Sequence, residues 1–201
     1  MAREHRGHVS QKHRPLIVVI LAAGRAQRMG RQKLLLPIDG LPMIVRVIGA
    51  AAAWPTVVVT SHEVATILRD APVRIIENAA PERGMSHSLA LADAAIAPDE
   101  PIAVLLGDLP DMRPERLAEV IAAYSEETDI VFARAGEHPA HPVVFSPNAR
   151  KKIAGLPDGD SLRLLRDDQS LRRRVIDVAA DAAALTDIDT PAEYEARTKS
   201  S

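Results

Sequence analysis

Four short, continuous runs of β-branched and other apolar residues, at positions 16–21, 56–60, 73–77 and 102–106, are separated by longer Ala/Leu-rich segments. A run that is apolar throughout, rather than at every second residue, suits a strand buried on both faces, so helices must cover both faces of the sheet. The alternation predicts a three-layer α/β domain. The intervening helices are expected at 42–53, 62–69, 86–97 and 114–124; Ser86 or Ser88 is placed to cap the third, and Pro114 opens the fourth. After Tyr124 the pattern changes. Strands at 129–133 and 143–145 flank an expected loop at 136–142, a helix near 161–166 precedes a strand at 172–178, and a short helix follows at 191–197. The sheet is therefore expected to be mixed, though mostly parallel. Right-handed crossovers put the loops at Gly24, Gly84 and Asp108 on one carboxyl edge, where such folds bind ligands.

The first strand empties into Leu21-Ala22-Ala23-Gly24-Arg25-Ala26-Gln27-Arg28-Met29-Gly30-Arg31-Gln32-Lys33. Gly24 and Gly30 let backbone N–H groups approach an anion, and Arg28 and Lys33 add positive charge, a combination suited to a nucleoside triphosphate. A Walker A loop has four residues between its glycines and then Lys-Ser/Thr. Here five residues separate Gly24 from Gly30, and Arg31-Gln32 follow. The G-x-G-x-x-G dinucleotide fingerprint is absent too.

Asp108, in Gly107-Asp108-Leu109-Pro110, stands at the end of a buried strand, facing that loop. Magnesium takes a few carboxylates together with phosphate oxygens and water, so Asp108 is a candidate Mg2+ ligand. Asp187-Ile188-Asp189 offers two further carboxylates on one side of an extended segment, Asp189 being the preferred second ligand. The same stretch also reads as a helix start, with Thr190 as cap and Glu193 three residues on. Between these loops, Asn78, Gly84 and Ser88 lie in a segment whose amide, N–H groups and hydroxyls could read a base and ribose, although its serines could equally be caps. Gly84-Met85-Ser86-His87-Ser88 lacks the closing glycine of a nucleophile elbow. His138 and His141 have no companion zinc ligands, and His62-Glu63 lacks the second histidine of a metalloprotease helix.

Composition narrows the partners. The 201 residues suit a single domain over 15–201 after a disordered basic tail at 1–14, and 47% hydrophobic content supplies a core. A formal net charge of -2 gives no basic field for nucleic acid or a membrane surface. With zero cysteines, disulfides and thiolate zinc sites are excluded. The tail lacks a signal peptide's apolar segment and no run is long enough to span a bilayer, so a cytoplasmic location is expected.

Taken in order, 21–33, Leu34-Leu35-Leu36-Pro37, 84–89, Gly107 to Pro110, His141-Pro142-Val143-Val144-Phe145 and Asp187 to Pro191 resemble the MobA-like nucleotidyltransferases, in particular their molybdenum cofactor cytidylyltransferase branch. The resemblance covers roughly 15–194. It implies a Rossmann-like fold, Mg2+, a nucleoside triphosphate substrate and release of pyrophosphate. By matching position it implies that Leu21, Ala22, Ala23 and Gly24 hold base, ribose and phosphates, that Arg28 and Lys33 grip the triphosphate, and that Asp108 binds the metal. Ala22-Ala23-Gly24 is closer to the cytidylyl branch than to guanylyl members, which carry a second glycine there, favouring CTP over GTP. The implied acceptor is molybdopterin, with a molybdoenzyme as eventual recipient.

Two departures fall on the acceptor side. Ala140 replaces a glycine before His-Pro, and Gly159-Asp160-Ser161-Leu162-Arg163 stands where the family has Gly-Asp-x-Gly-Ala-Arg. Trp54, two Tyr and two Phe also offer little for pterin stacking. Guanylyl transfer, transfer to another phosphorylated acceptor and a non-catalytic, cofactor-handing chaperone therefore stand as competing readings.

Overall fold

The computed structural model describes residues 16–24, 32–159, 162–178 and 187–199; the N-terminal tail and the stretch with Arg28 and Gly30 lie outside them. Nine strands are present among the described residues. β1 (Ile17–Ala22), β4 (Thr56–Thr60), β5 (Arg74–Glu77), β6 (Ile102–Leu106), β7 (Ile130–Ala135), β8 (His138–Phe145) and β9 (Arg173–Asp177) form one sheet in the order β5-β4-β1-β6-β8-β7-β9. Only β8 runs against its neighbours; every other adjacent pair is parallel. The remaining two, β2 (Pro37–Ile38) and β3 (Leu41–Pro42), make a small hairpin turned by Asp39 and Gly40, both at positive φ.

The continuous apolar runs are explained by two buried layers. Along β1, Val18, Ile20 and Ala22 face one cluster and Val19 and Leu21 the other. The first cluster takes in Met43, Ile44 and Val47 of α1 (Met43–Ala50), Val64 of α2 (His62–Ile67), and Leu117 and Val120 of α4 (Pro114–Ala122). The second takes in Leu89 and Ala92 of α3 (Met85–Ala94), Ala149 of α5 (Pro147–Arg150) and Leu165 of α6 (Leu162–Asp167). The last helix, α7 (Pro191–Lys199), has no fully buried residue; Tyr194 packs against the first cluster and polar contacts hold the rest. The three-layer α/β/α arrangement expected from the sequence is what forms.

Two local expectations are corrected. Residues 138–142 are strand rather than loop, and only Gly136 and Glu137 turn the β7–β8 hairpin. Prolines 139 and 142 are tolerated because β6 pairs with β8 only at Val143–Phe145, and a register shift after Phe132 absorbs the irregularity. The third helix starts one residue earlier than expected, at Met85, with Gly84 at the cap position; Ser86 and Ser88 are buried inside it and neither caps it.

Asp129, just before β7, ties together three segments. Its carboxylate accepts hydrogen bonds from Ser146 Oγ, Asn148 Nδ2 and both the backbone N and the Nε of Arg172. The Arg172 hydrogen bonds, against the opposing effect of burial, hold its carboxyl well below the usual aspartate range. A depressed folded-state pKa contributes stability above the unfolded value near ~3.9, and that stability is lost as pH falls below it. Thermal melts should therefore show Asp129→Asn about 2 kcal/mol less stable at pH 7, with a shallower loss below about pH 4 than wild type.

Candidate active site

The carboxyl ends of β1, β4, β5 and β6 share one edge of the sheet, because these strands are parallel neighbours. A cavity of about 210 Å³ opens there. Its lining includes Leu21, Ala22, Ala23 and Gly24 from the end of β1, Gly84 and Ser88 from the start of α3, and Lys33 and Asp108. Of the expected nucleotide-binding residues, Asn78 does not line the cavity. It is buried behind Ser88, donating to Ser88 Oγ at 2.9 Å while its own Oδ1 accepts from Ala80 N. Arg28 lies outside the described residues.

Lys33 opens a 3-10 turn at Lys33–Leu35, capped by Gln32 and anchored by buried Leu34. Its ammonium donates to Asp108 Oδ2 at 2.8 Å and to Asp189 Oδ1 at 2.6 Å, joining residues 75 and 156 positions apart. Burial opposes the ammonium charge, but the two aspartates outweigh it and raise the Lys33 pKa above the ordinary lysine value. Asp189 and Thr190 N–H groups both donate to Glu193, and Glu193 N–H donates to Thr190 Oγ1. The capping box and the contact of the Asp189 side chain with the site thus coexist.

Asp108 is positioned by the loop after β6. Gly107 N–H donates to Leu21 O, and a Cβ at Gly107 would lie 2.9 Å from the Cβ of Ala22, so the loop crosses the end of β1 too closely for any side chain. Gly107→Ala should push the loop outward, lowering stability by about 1–3 kcal/mol and turnover with it; thermal melts and initial rates check both.

Carboxylate oxygens of Asp108, Asp187 and Asp189 all lie within 4.8 Å of one another, and they form the one group of potential metal ligands among the described residues. Asp187 is reached by solvent, yet burial on its inner side and the charges of Asp108 and Asp189 raise its carboxyl above the usual aspartate range. Asp108 Oδ1 is buried and accepts no hydrogen bond. An all-oxygen donor set with one unused buried lone-pair atom fits a hard divalent cation such as Mg2+ or Mn2+.

A charged network behind the site went unread in the sequence. Arg197 on α7 donates to Asp111 at 2.7 and 2.8 Å and to Asp39 at 3.1 Å. Arg46 on α1 donates to Pro110 O and pairs with Asp39. With the Tyr194 hydroxyl donating to Pro37 O, these contacts clamp α7, the β2–β3 hairpin and the Asp108 loop together. The only sequence signal was Asp111, three residues past Asp108. On the other side of the cavity, Gly84 and Gly159 form a parallel bridge; both have positive φ, and a Cβ on Gly84 would lie 2.8 Å from Gly159 Cα.

His141 stands at the same edge, since the antiparallel β6–β8 register carries its end of β8 towards the end of β6, and it faces Val104 O at 3.2 Å. Burial lowers its pKa. It lines a smaller pocket with Phe132, Ala140, Leu162 and Arg166, and no histidine joins the carboxylate group. Among the described residues, no helix is long and apolar enough to cross a membrane.

The MobA-like NTP transferase domain matches residues 18–182. The purine catabolism protein PucB of Bacillus subtilis is 25% identical over 198 residues, covering 90% of this chain and 94% of PucB. The bifunctional protein GlmU of Rhodospirillum rubrum is 36% identical over 135 residues, covering 63% of this chain but 30% of GlmU, so the chain spans under a third of that relative. The crystal structure of Rv0371c from Mycobacterium tuberculosis superposes with a TM-score of 0.78 at 23% identity, covering 93% of this chain and 99% of Rv0371c. The same protein in complex with manganese gives 0.70, covering 94% of this chain and 100% of that one. The chain is a nucleotidyltransferase and belongs to the MobA-like NTP transferase family.

Proposed function

We propose that this protein transfers CMP from CTP to the phosphate of molybdopterin, releasing pyrophosphate, with Mg2+ as its cofactor. The observation that carries the reading is the meeting of Lys33, Asp108 and Asp189 beside the cavity formed by Leu21 to Gly24. The cytidine preference rests on Ala22-Ala23-Gly24, which leaves no second glycine beside the base. A divalent metal is supported by the carboxylate group and by the manganese complex of the structurally similar Rv0371c.

Chemically, an oxygen of the acceptor phosphate attacks the α-phosphorus of CTP in line. One P–O bond forms there, the bond to the bridging α–β oxygen breaks, and pyrophosphate leaves with that electron pair. The attacking oxygen is already anionic, so no protein base is needed, and positioning and charge neutralisation supply the catalysis. Asp108, Asp189 and Asp187 would hold the metal, which when bound offsets charge on the phosphate oxygens. Gly24 lets the backbone approach the phosphates, and Lys33 and Arg28 stabilise the departing pyrophosphate. The N-terminal end of α3, whose Gly84 and Ser88 line the cavity and which no side chain caps, would face the nucleotide with the positive end of the helix dipole.

One second reading has specific support. Ala140 lines the pocket beside His141, and GlmU of Rhodospirillum rubrum matches 63% of this chain, so a different phosphorylated acceptor fits the same machinery. Pyrophosphate release from CTP, GTP, ATP and UTP, each with and without molybdenum-loaded molybdopterin, separates the readings. Release from CTP that depends on molybdopterin is expected. Nucleotide binding without such release would overturn the acceptor assignment.

A further inference from the structure

We infer that Lys33 is a built-in stand-in for the catalytic cation, closing the metal site until a nucleotide draws the lysine away. The inference rests on the metal-dependent transfer proposed above. Its ammonium bonds at once to Asp108 Oδ2 and Asp189 Oδ1, two of the three carboxylates grouped within 4.8 Å. A magnesium ion bound to those oxygens at about 2.0–2.1 Å would fall in the gap that the ammonium fills. Two cations in one such gap repel strongly, so occupation by the metal and by Lys33 is mutually exclusive.

The same side chain lines the nucleotide cavity beside Gly24. Its backbone is pinned by the 3-10 turn and by buried Leu34, while the rotatable bonds of the four-carbon side chain let the ammonium exchange one set of anionic partners for another without moving that turn. Phosphates seated on the Gly24 loop offer the ammonium a second set of anionic oxygens. Moving there, Lys33 vacates two carboxylates beside Asp108 Oδ1, which already lacks a partner. Nucleotide and metal binding are then positively coupled, and the coupling is reciprocal. The same lysine offsets part of the negative charge of Asp108 and Asp189 in the nucleotide-free protein.

The consequence is unusual for a residue that also serves turnover: removing it tightens metal binding. Mn2+ titration of the full chain, read from the electron paramagnetic resonance signal of free Mn2+, tests this. Without nucleotide, Lys33→Met and Lys33→Gln should bind Mn2+ more tightly than wild type by on the order of tenfold, the scale on which a nearby opposite charge shifts a carboxylate's cation affinity. With α,β-methylene CTP, wild-type affinity for Mn2+ should rise, and it should rise less in both variants. Variants that bind Mn2+ no more tightly than wild type overturn the stand-in role. Asp108→Asn separates that failure from a deeper one. If it abolishes nucleotide-dependent Mn2+ binding while the lysine variants stay at wild-type affinity, only the role of Lys33 falls. If wild type binds no Mn2+ with the analogue, or Asp108→Asn binds it equally well, the metal site and the stand-in fall together.

Discussion

Asp108→Asn should lower nucleotidyl transfer about a thousandfold while the protein stays folded, the loss expected when one preorganised charged group is removed from beside the reacting phosphates. The side chain is held between Lys33 and the end of β6, and its Oδ1 makes no hydrogen bond that the folded state would lose. Neutralising it removes one of three adjacent carboxylates, so local repulsion falls as one ion pair is lost and the melting temperature changes little. The defect belongs chiefly in kcat, with nucleotide affinity falling only as far as its coupling to the metal dictates, because the cavity lining from Leu21 to Gly24 is untouched. Asp189→Asn should be milder, since its side chain is 41% exposed and solvent can replace part of its contact. Steady-state rates at saturating CTP, paired with thermal melts of each variant, check the order.

Arg150→Ala is the largest expected loss of stability. The Arg150 side chain is 3% exposed, its Nε donates to Asp93 Oδ1 at 2.7 Å, and its guanidinium also donates to the carbonyls of Asp93, Ile96, Ala97 and Glu100. Those carbonyls lie at and beyond the C-terminal end of α3, where a helix leaves acceptors without partners. Truncation strands the Asp93 carboxylate and several carbonyls at once, at a cost of about 3–5 kcal/mol, or roughly 6–20 °C in melting temperature for a chain of this size. Arg150→Lys should recover only part of it, because one ammonium cannot reach all five acceptors. Urea unfolding followed by circular dichroism measures the difference. α3 carries Gly84 and Ser88 on the cavity wall at its other end, so the variant should lose nucleotide affinity before it unfolds.

The parallel half of the sheet was legible because its signal is local. Strands buried on both faces must be apolar throughout, and β4 and β6 occupy the expected residues. The hairpin of β7 and β8 was harder to read, because two prolines in 138–142 argue against a strand unless one knows that β6 pairs only with Val143–Phe145. The site divides in the same way. Lys33 and Asp108 stand out because a loop directly follows a buried strand, and Asp189 because a second carboxylate precedes a helix start. The roles of Arg46, Asp111, Arg197 and Arg150 depend on contacts between residues 50 or more positions apart, which no spacing rule contains. Ser88 was legible as polar, but the support it receives from Asn78 is visible only once β5 and α3 are placed side by side.

The central claim is that the edge bearing Lys33, Asp108 and Asp189 moves a nucleotidyl group. The most direct measurement follows α-32P-labelled CTP in the presence of Mg2+ and molybdenum-loaded molybdopterin, for wild type and Asp108→Asn. The account predicts that label passes to the acceptor with matching pyrophosphate release, only when metal and acceptor are both present, and almost none with the variant. Label that stays in CTP, or equal transfer by Asp108→Asn, would contradict it.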